Sequence, residues 1–162
     1  MNTMDGKKCE LVEKLGIHFE RKKQMAPVAA RIFAYIILTG KQGTTFEDLV
    51  SNLCASKSTI STHLNHLQDL KKLSYFTKTG DRKKYFVMDH DTMIRDISSL
   101  VEEWESEQQL HMEIMDFKKE ANENLDEADK FELHFHESFI EFHNAAIKSI
   151  IKLKETIVNN KY

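Results

Sequence analysis

Ser56-Lys57-Ser58-Thr59-Ile60-Ser61-Thr62-His63-Leu64-Asn65-His66-Leu67-Gln68-Asp69-Leu70 decides the reading of this chain. Ser56 is of the type that caps a helix N-terminus, and no glycine or proline interrupts the run from Lys57 to Leu70. Ile60, Leu64, Leu67 and Leu70 return every three or four residues, the spacing of one buried helical stripe. At about 100° per residue, Ser58, Ser61, Thr62 and Asn65 project on the opposite side. That side is short, polar and uncharged, whereas solvated helix faces ordinarily carry Glu and Lys pairs.

C-terminal to this helix, Leu73 to Thr77 and Lys84 to Met88 are rich in aromatic and branched residues and flank Gly80-Asp81, which predicts a short hairpin. On the N-terminal side, Thr44 with Glu47 forms a predicted capping box for a short helix holding Phe46, Leu49, Val50 and Leu53. Pro27 suits a first helical position, Ala29 to Leu38 is almost wholly apolar, and Gly40 suits a C-terminal cap, so a buried helix is expected there. From about Asp5 to Lys23, Leu11, Val12, Leu15 and Phe19 mark a further helix with basic residues at its end.

Beyond the hairpin, Asp91 or Thr92 can cap a long helix through Ile94, Ile97, Val101, Trp104, Ile114 and Phe117 to about Glu120. Asn122 to Asp126 weakens the pattern. Phe131, Phe135, Phe139, Phe142, Ala146, Ile150, Leu153 and Ile157 then trace one stripe of a last helix. The expected fold is mainly α: a winged helix-turn-helix with a short β-hairpin wing and a long helical dimerisation extension. Its divisions are an N-terminal helix for dimerisation over 1–24, the winged domain over 25–90 and a C-terminal helical dimerisation region over 91–162. The terminal helices carry more apolar surface than one small winged domain can cover, so a homodimer is expected.

Composition narrows the function classes. Of 162 residues, 41% are hydrophobic and 30% charged, with one proline and five glycines, which disfavours all-β folds. Cys9 and Cys54 form neither a CxxC pair nor a disulfide framework. The longest apolar stretch, Ile32 to Leu38, falls far short of the ~20 residues of a membrane span, and a cytoplasmic protein is expected. The net charge of -3 is unevenly spread. Lys41 to Phe86 holds eight Lys/Arg against four acids, whereas Asp96 to Glu141 holds fifteen acids and three lysines. A polyanion would meet the first region and be repelled by the second.

No nucleophile held by a base, no phosphate-binding glycine loop and no carboxylate pair around a cleft is legible, so no enzymatic activity and no cofactor are expected. Eight histidines invite a metal reading. Glu132, His136 and His143 fall near one face of the last helix, but His134-x-His136 points to opposite sides and no metal site is assigned.

The major groove of DNA is ~12 Å wide and admits a helix whose outer face is not bulky, and Ser, Thr and Asn can bond to base edges or phosphates. Candidate DNA contacts are therefore Lys57, Ser58, Ser61, Thr62 and Asn65 on the helix, with Lys72 at its far end. Lys78, Arg82, Lys83 and Lys84 surround the hairpin turn. These hairpin cations either solubilise the turn or touch phosphates, and their place directly after the helix favours the second reading. An arginine there can reach the narrow minor groove, which singles out Arg82.

Pro27-Val-Ala-Ala-Arg31-Ile-Phe-Ala-Tyr35, Ala55-Ser-Lys-Ser-Thr-Ile-Ser61 and Gly80-Asp-Arg-Lys-Lys-Tyr85 together resemble the MarR-type regulators, in particular the GbsR-like branch. The resemblance covers most of residues 11–90. It implies a homodimer whose two winged domains read a near-palindrome in double-stranded DNA, typically as a repressor of transcription whose affinity responds to a small-molecule effector. It also implies contacts at Lys57, Ser58, Ser61, Thr62 and Asn65 and a wing contact at Arg82. No residue identifies the effector: Trp104, Phe131, Phe135, Phe139 and Phe142 could cage a quaternary ammonium, but such a stripe is more often dimer core. The alternative is a winged-helix protein-interaction module without DNA binding, whose complexes would weaken less steeply with salt.

Overall fold

The computed structural model describes residues 3–159. Helices α1 (Thr3–Lys23), α2 (Pro27–Thr39), α3 (Phe46–Leu53) and α4 (Lys57–Asp69) precede strands β1 (Leu73–Thr77) and β2 (Lys84–Met88), and α5 (Thr92–Asn122) and α6 (His134–Asn159) come last. The chain forms two compact units that divide between Thr92 and Met93.

In the first unit α2 is the central post. Its Ala29, Ile32, Phe33 and Ile36 are buried with Leu49 of α3, Ile60, Leu64 and Leu67 of α4, Leu73 of β1 and Phe86 of β2. Burial of such side chains stabilises by roughly 1.5–3 kcal/mol each relative to exposure, so this cluster is what fixes α4 against the post. α1 also packs on α2. Phe19 lies 5.1 Å from Phe33 between ring centroids, and Arg31 is clamped by Glu13 at 2.9 Å and Glu20 at 2.5 Å.

The strands pair antiparallel with Leu73 opposite Met88 and Thr77 opposite Lys84. Thr44 adds an isolated antiparallel bridge, exchanging both backbone hydrogen bonds with Phe86 at 3.0 and 2.8 Å. That pairing moves the cap of α3 from its expected place. Thr44 is extended and buried, and the capping box is formed one residue later by Thr45 and Asp48. Leu70, expected inside the stripe of α4, is half exposed because the helix has ended, and Leu73 fills the core position. Two helices packed against the post, a third with one face free and a hairpin beside it make this a winged helix-turn-helix.

The second unit is a pair of long helices. His136, His143 and Ile147 of α6 are buried, and Gln108 of α5 reaches the Ile140 carbonyl at 3.1 Å and Asn144 Oδ1 at 2.9 Å. Asn122 clamps the chain between the helices, accepting the Phe131 amide at 2.7 Å and donating to the Phe131 carbonyl at 2.9 Å. Phe131 therefore precedes α6 instead of lying on its stripe. The stripe itself divides: Phe139, Ile150 and Ile157 are partly buried, whereas Phe135, Phe142 and Leu153 stay exposed.

Candidate nucleic-acid interface

Ser56 accepts the Thr59 amide at 3.1 Å and holds the first turn of α4. With Ile60, Leu64 and Leu67 fully or nearly buried, that side of the helix is turned into the core, and Lys57, Ser58, Ser61, Thr62 and Asn65 are all exposed. Ser58 and Thr62 are partly committed, Ser58 to the Ser56 hydroxyl at 2.9 Å and Thr62 to the Ser58 carbonyl at 3.0 Å. Each hydroxyl keeps further acceptor capacity.

The hairpin stands beside this face. A groove of about 490 Å³ is lined on one wall by Ser61, Asn65 and Gln68 of α4 and on the other by Arg82, Lys83 and Lys84 of the wing, with Phe86 and Leu64 at its base. Phe46 and Glu47 also line it, and the same two residues border a second depression that includes Lys57. The groove thus joins amide and hydroxyl groups able to read base edges to three cations able to meet phosphates.

The wing loop is ordered by Asp81. It accepts the Lys83 amide at 2.9 Å and the Tyr85 hydroxyl at 2.7 Å, and the Asp81 amide donates to the Lys78 carbonyl at 3.0 Å. The Tyr85 hydrogen bond, then the Lys83 amide, hold the Asp81 carboxyl below the usual carboxylate range, and the same contact raises the Tyr85 hydroxyl. Gly43 lies beneath the hairpin with φ 71°, and a Cβ there would meet Tyr85 Cβ at 2.9 Å and Phe76 Cε1 at 3.1 Å.

Aromatic rings direct two of the lysines. Lys84 Nζ sits 4.2 Å from the Tyr75 ring centroid on the groove side, and Lys78 Nζ sits 3.7 Å from that of Tyr85. Tyr85 stacks on Phe76 across the other hairpin face, so Lys78 stands apart from the groove. Lys72 also stands apart: it is partly buried in the turn after α4, its Nζ 5.9 Å from the Phe33 ring. Sequence reasoning missed Gln68 and the groove position of Glu47. Gln68 lies three residues after Asn65 and was legible by helical spacing, whereas Glu47 reaches the groove only through tertiary packing.

Among the described residues no group of three or more His, Cys, Asp or Glu is placed to hold a metal ion, and no helix is long and apolar enough to cross a membrane. No protein-family model matches the sequence, and no curated protein matches it. Among solved structures the chain is similar to one described as a transcriptional regulator, with 18% identity over 95% of this chain and 99% of that chain and a TM-score of 0.51. At that identity the likeness shows the architecture the two share, a mainly α winged helix-turn-helix with two long C-terminal helices.

Proposed function

We propose that this protein is a sequence-specific regulator of transcription that binds double-stranded DNA through α4 and the wing. The observation that carries the reading is the shared groove, in which Ser61 and Asn65 face Arg82, Lys83 and Lys84. α4 enters the major groove with Lys57, Ser58, Ser61, Thr62 and Asn65 toward the bases and adjacent phosphates. Arg82 reaches the neighbouring minor groove, and Lys83 and Lys84 take phosphates, with Lys72 and Lys78 as outlying charges. The motifs at 27–35, 55–61 and 80–85 favour the GbsR-like branch of MarR-type regulators, a cytoplasmic repressor and an effector of unassigned chemistry.

The same reading makes the protein a homodimer. The second unit leaves Phe117, Phe135 and Phe142 each more than 60% exposed, and Phe135, Phe142 and Leu153 fall on one line of α6. Solvent exposure of such a line is costly, and a symmetric partner covers it while setting two α4 helices against two half-sites. α1, which retains exposed Leu11 and Ile17, is a further helix proposed to take part in dimerisation.

The test is a gel-shift titration of the protein against the DNA upstream of its own coding sequence, at two salt concentrations. A discrete complex that weakens steeply with salt is expected. Absence of binding to that DNA and to a pool of random duplexes would overturn the reading in favour of a protein-interaction module.

A further inference from the structure

The seam between α5 and α6 contains a histidine with both ring nitrogens engaged. His136 is 6% exposed. Its Nδ1 is 3.0 Å from His111 Nδ1, and its Nε2 is 3.0 Å from Lys118 Nζ. A lysine ammonium only donates, so Nε2 is the acceptor and the proton of the neutral ring sits on Nδ1. That proton is given to His111 Nδ1, which places the His111 proton on its Nε2. One ordered chain, Lys118 to His136 to His111, therefore ties α6 to α5, and it exists only while both rings are neutral.

We propose that Lys118, His136 and His111 form a pH-sensitive latch that seats α6 on α5 near neutral pH and releases it on mild acidification. The sole lone pair at which His136 can take a proton is Nε2, the one that receives Lys118. A proton there sets N–H against N–H and an imidazolium beside an ammonium. A proton on His111 Nδ1 likewise opposes the His136 N–H. The charges that act on His136 come from Lys118 and His111 on α5, and both repel an added proton. Glu107, also on α5, is directed instead to His143 Nε2, 3.6 Å away. The His111 ring stacks on Phe139 at 3.8 Å and lies 5.8 Å from Phe135, so movement of the ring disturbs the aromatic packing of α6.

Burial first, then Lys118 and His111, lower the His136 pKa from the ordinary histidine value. The unfolded chain thus binds more protons as pH falls below about 6.5. The latch contributes fully above that value and is lost progressively as pH falls toward the lowered one.

The test uses the full chain. Histidine-resolved NMR titration should show His136 titrating below the ordinary midpoint, and Lys118→Met should raise that midpoint by roughly half a pH unit or more. His136→Gln can accept from Lys118 and donate to His111 without titrating, so its thermal midpoint should fall less than half as far between pH 7.5 and 5.5 as that of the wild type. An ordinary midpoint unmoved by Lys118→Met, or the same pH loss in a folded His136→Gln variant, overturns the latch. Phe135 lies beside the latch on the face assigned above to a second copy, so dimer affinity should fall over the same pH range. That consequence rests on the dimer reading: a monomer at both pH values would overturn that reading, and the histidine titration would still decide the latch.

Discussion

Asp81 and Tyr85 close the wing on itself: the Tyr85 hydroxyl donates to Asp81 Oδ2 at 2.7 Å, and the other carboxylate oxygen takes the Lys83 amide. Arg82 lies between the two ends of this brace, so the cation assigned to the minor groove is presented by a loop held at both sides. Tyr85→Phe should reduce affinity for any duplex on the order of three- to ten-fold, the worth of one hydrogen bond. Trypsin should then nick residues 78–84 faster. Because Asp81 is held below the usual carboxylate range, the brace is complete above about pH 4 and is lost as pH falls through the lowered value. Digestion near neutral pH should accordingly be pH-independent in the wild type.

Gly43→Ala should destabilise the first unit by about 1–3 kcal/mol, because it combines a left-handed backbone with a clash against Tyr85 Cβ. Thermal unfolding would show this as a midpoint of the first unit lowered by about 4–8 °C per kcal/mol. An unchanged midpoint would show that the hairpin does not lean on Gly43.

Asn65→Ala should cost about 1–3 kcal/mol of discrimination between the preferred duplex and single-base variants, with Ser61→Ala acting in the same direction. Arg82→Ala should instead weaken all duplexes alike and reduce the slope of log K against log salt by about one. Competition binding with a panel of variant duplexes separates the two outcomes.

Much of this was legible in the sequence because the local signals agreed with one another. The strands fall at Leu73–Thr77 and Lys84–Met88, as aromatic and branched composition around Gly80-Asp81 predicts. Ile60, Leu64 and Leu67 turn inward and leave Ser58, Ser61, Thr62 and Asn65 exposed. The departures come from tertiary competition. Thr44 is as good a cap as Thr45 by type, and only its pairing with Phe86 draws it into the sheet. Leu70 fits the stripe by spacing, yet the helix ends before it. Lys78 counts as a wing cation by position, but the Tyr85 ring draws it to the other face. A one-dimensional pattern carries none of these choices.

On the proposed dimer reading, Phe142→Glu, alone or with Phe135→Glu, should give a monomer at micromolar concentration while leaving the first unit folded, as read by light scattering and by unfolding. Half-site DNA should then bind comparably to the full site, because the advantage of linking two modules is lost. A wild-type monomer at micromolar concentration would contradict the tail-built interface.

Whether the α4 face and the wing together receive a duplex is best decided by hydroxyl-radical footprinting of the protein with and without bound DNA. Protection is expected at Ser61, Asn65 and Arg82, with Lys83 and Lys84 alongside, and little change at Glu102, Glu103 and Glu105 on α5. Protection centred on the acidic helices, with Asn65 and Arg82 as reactive as in the free protein, would contradict that mode of binding.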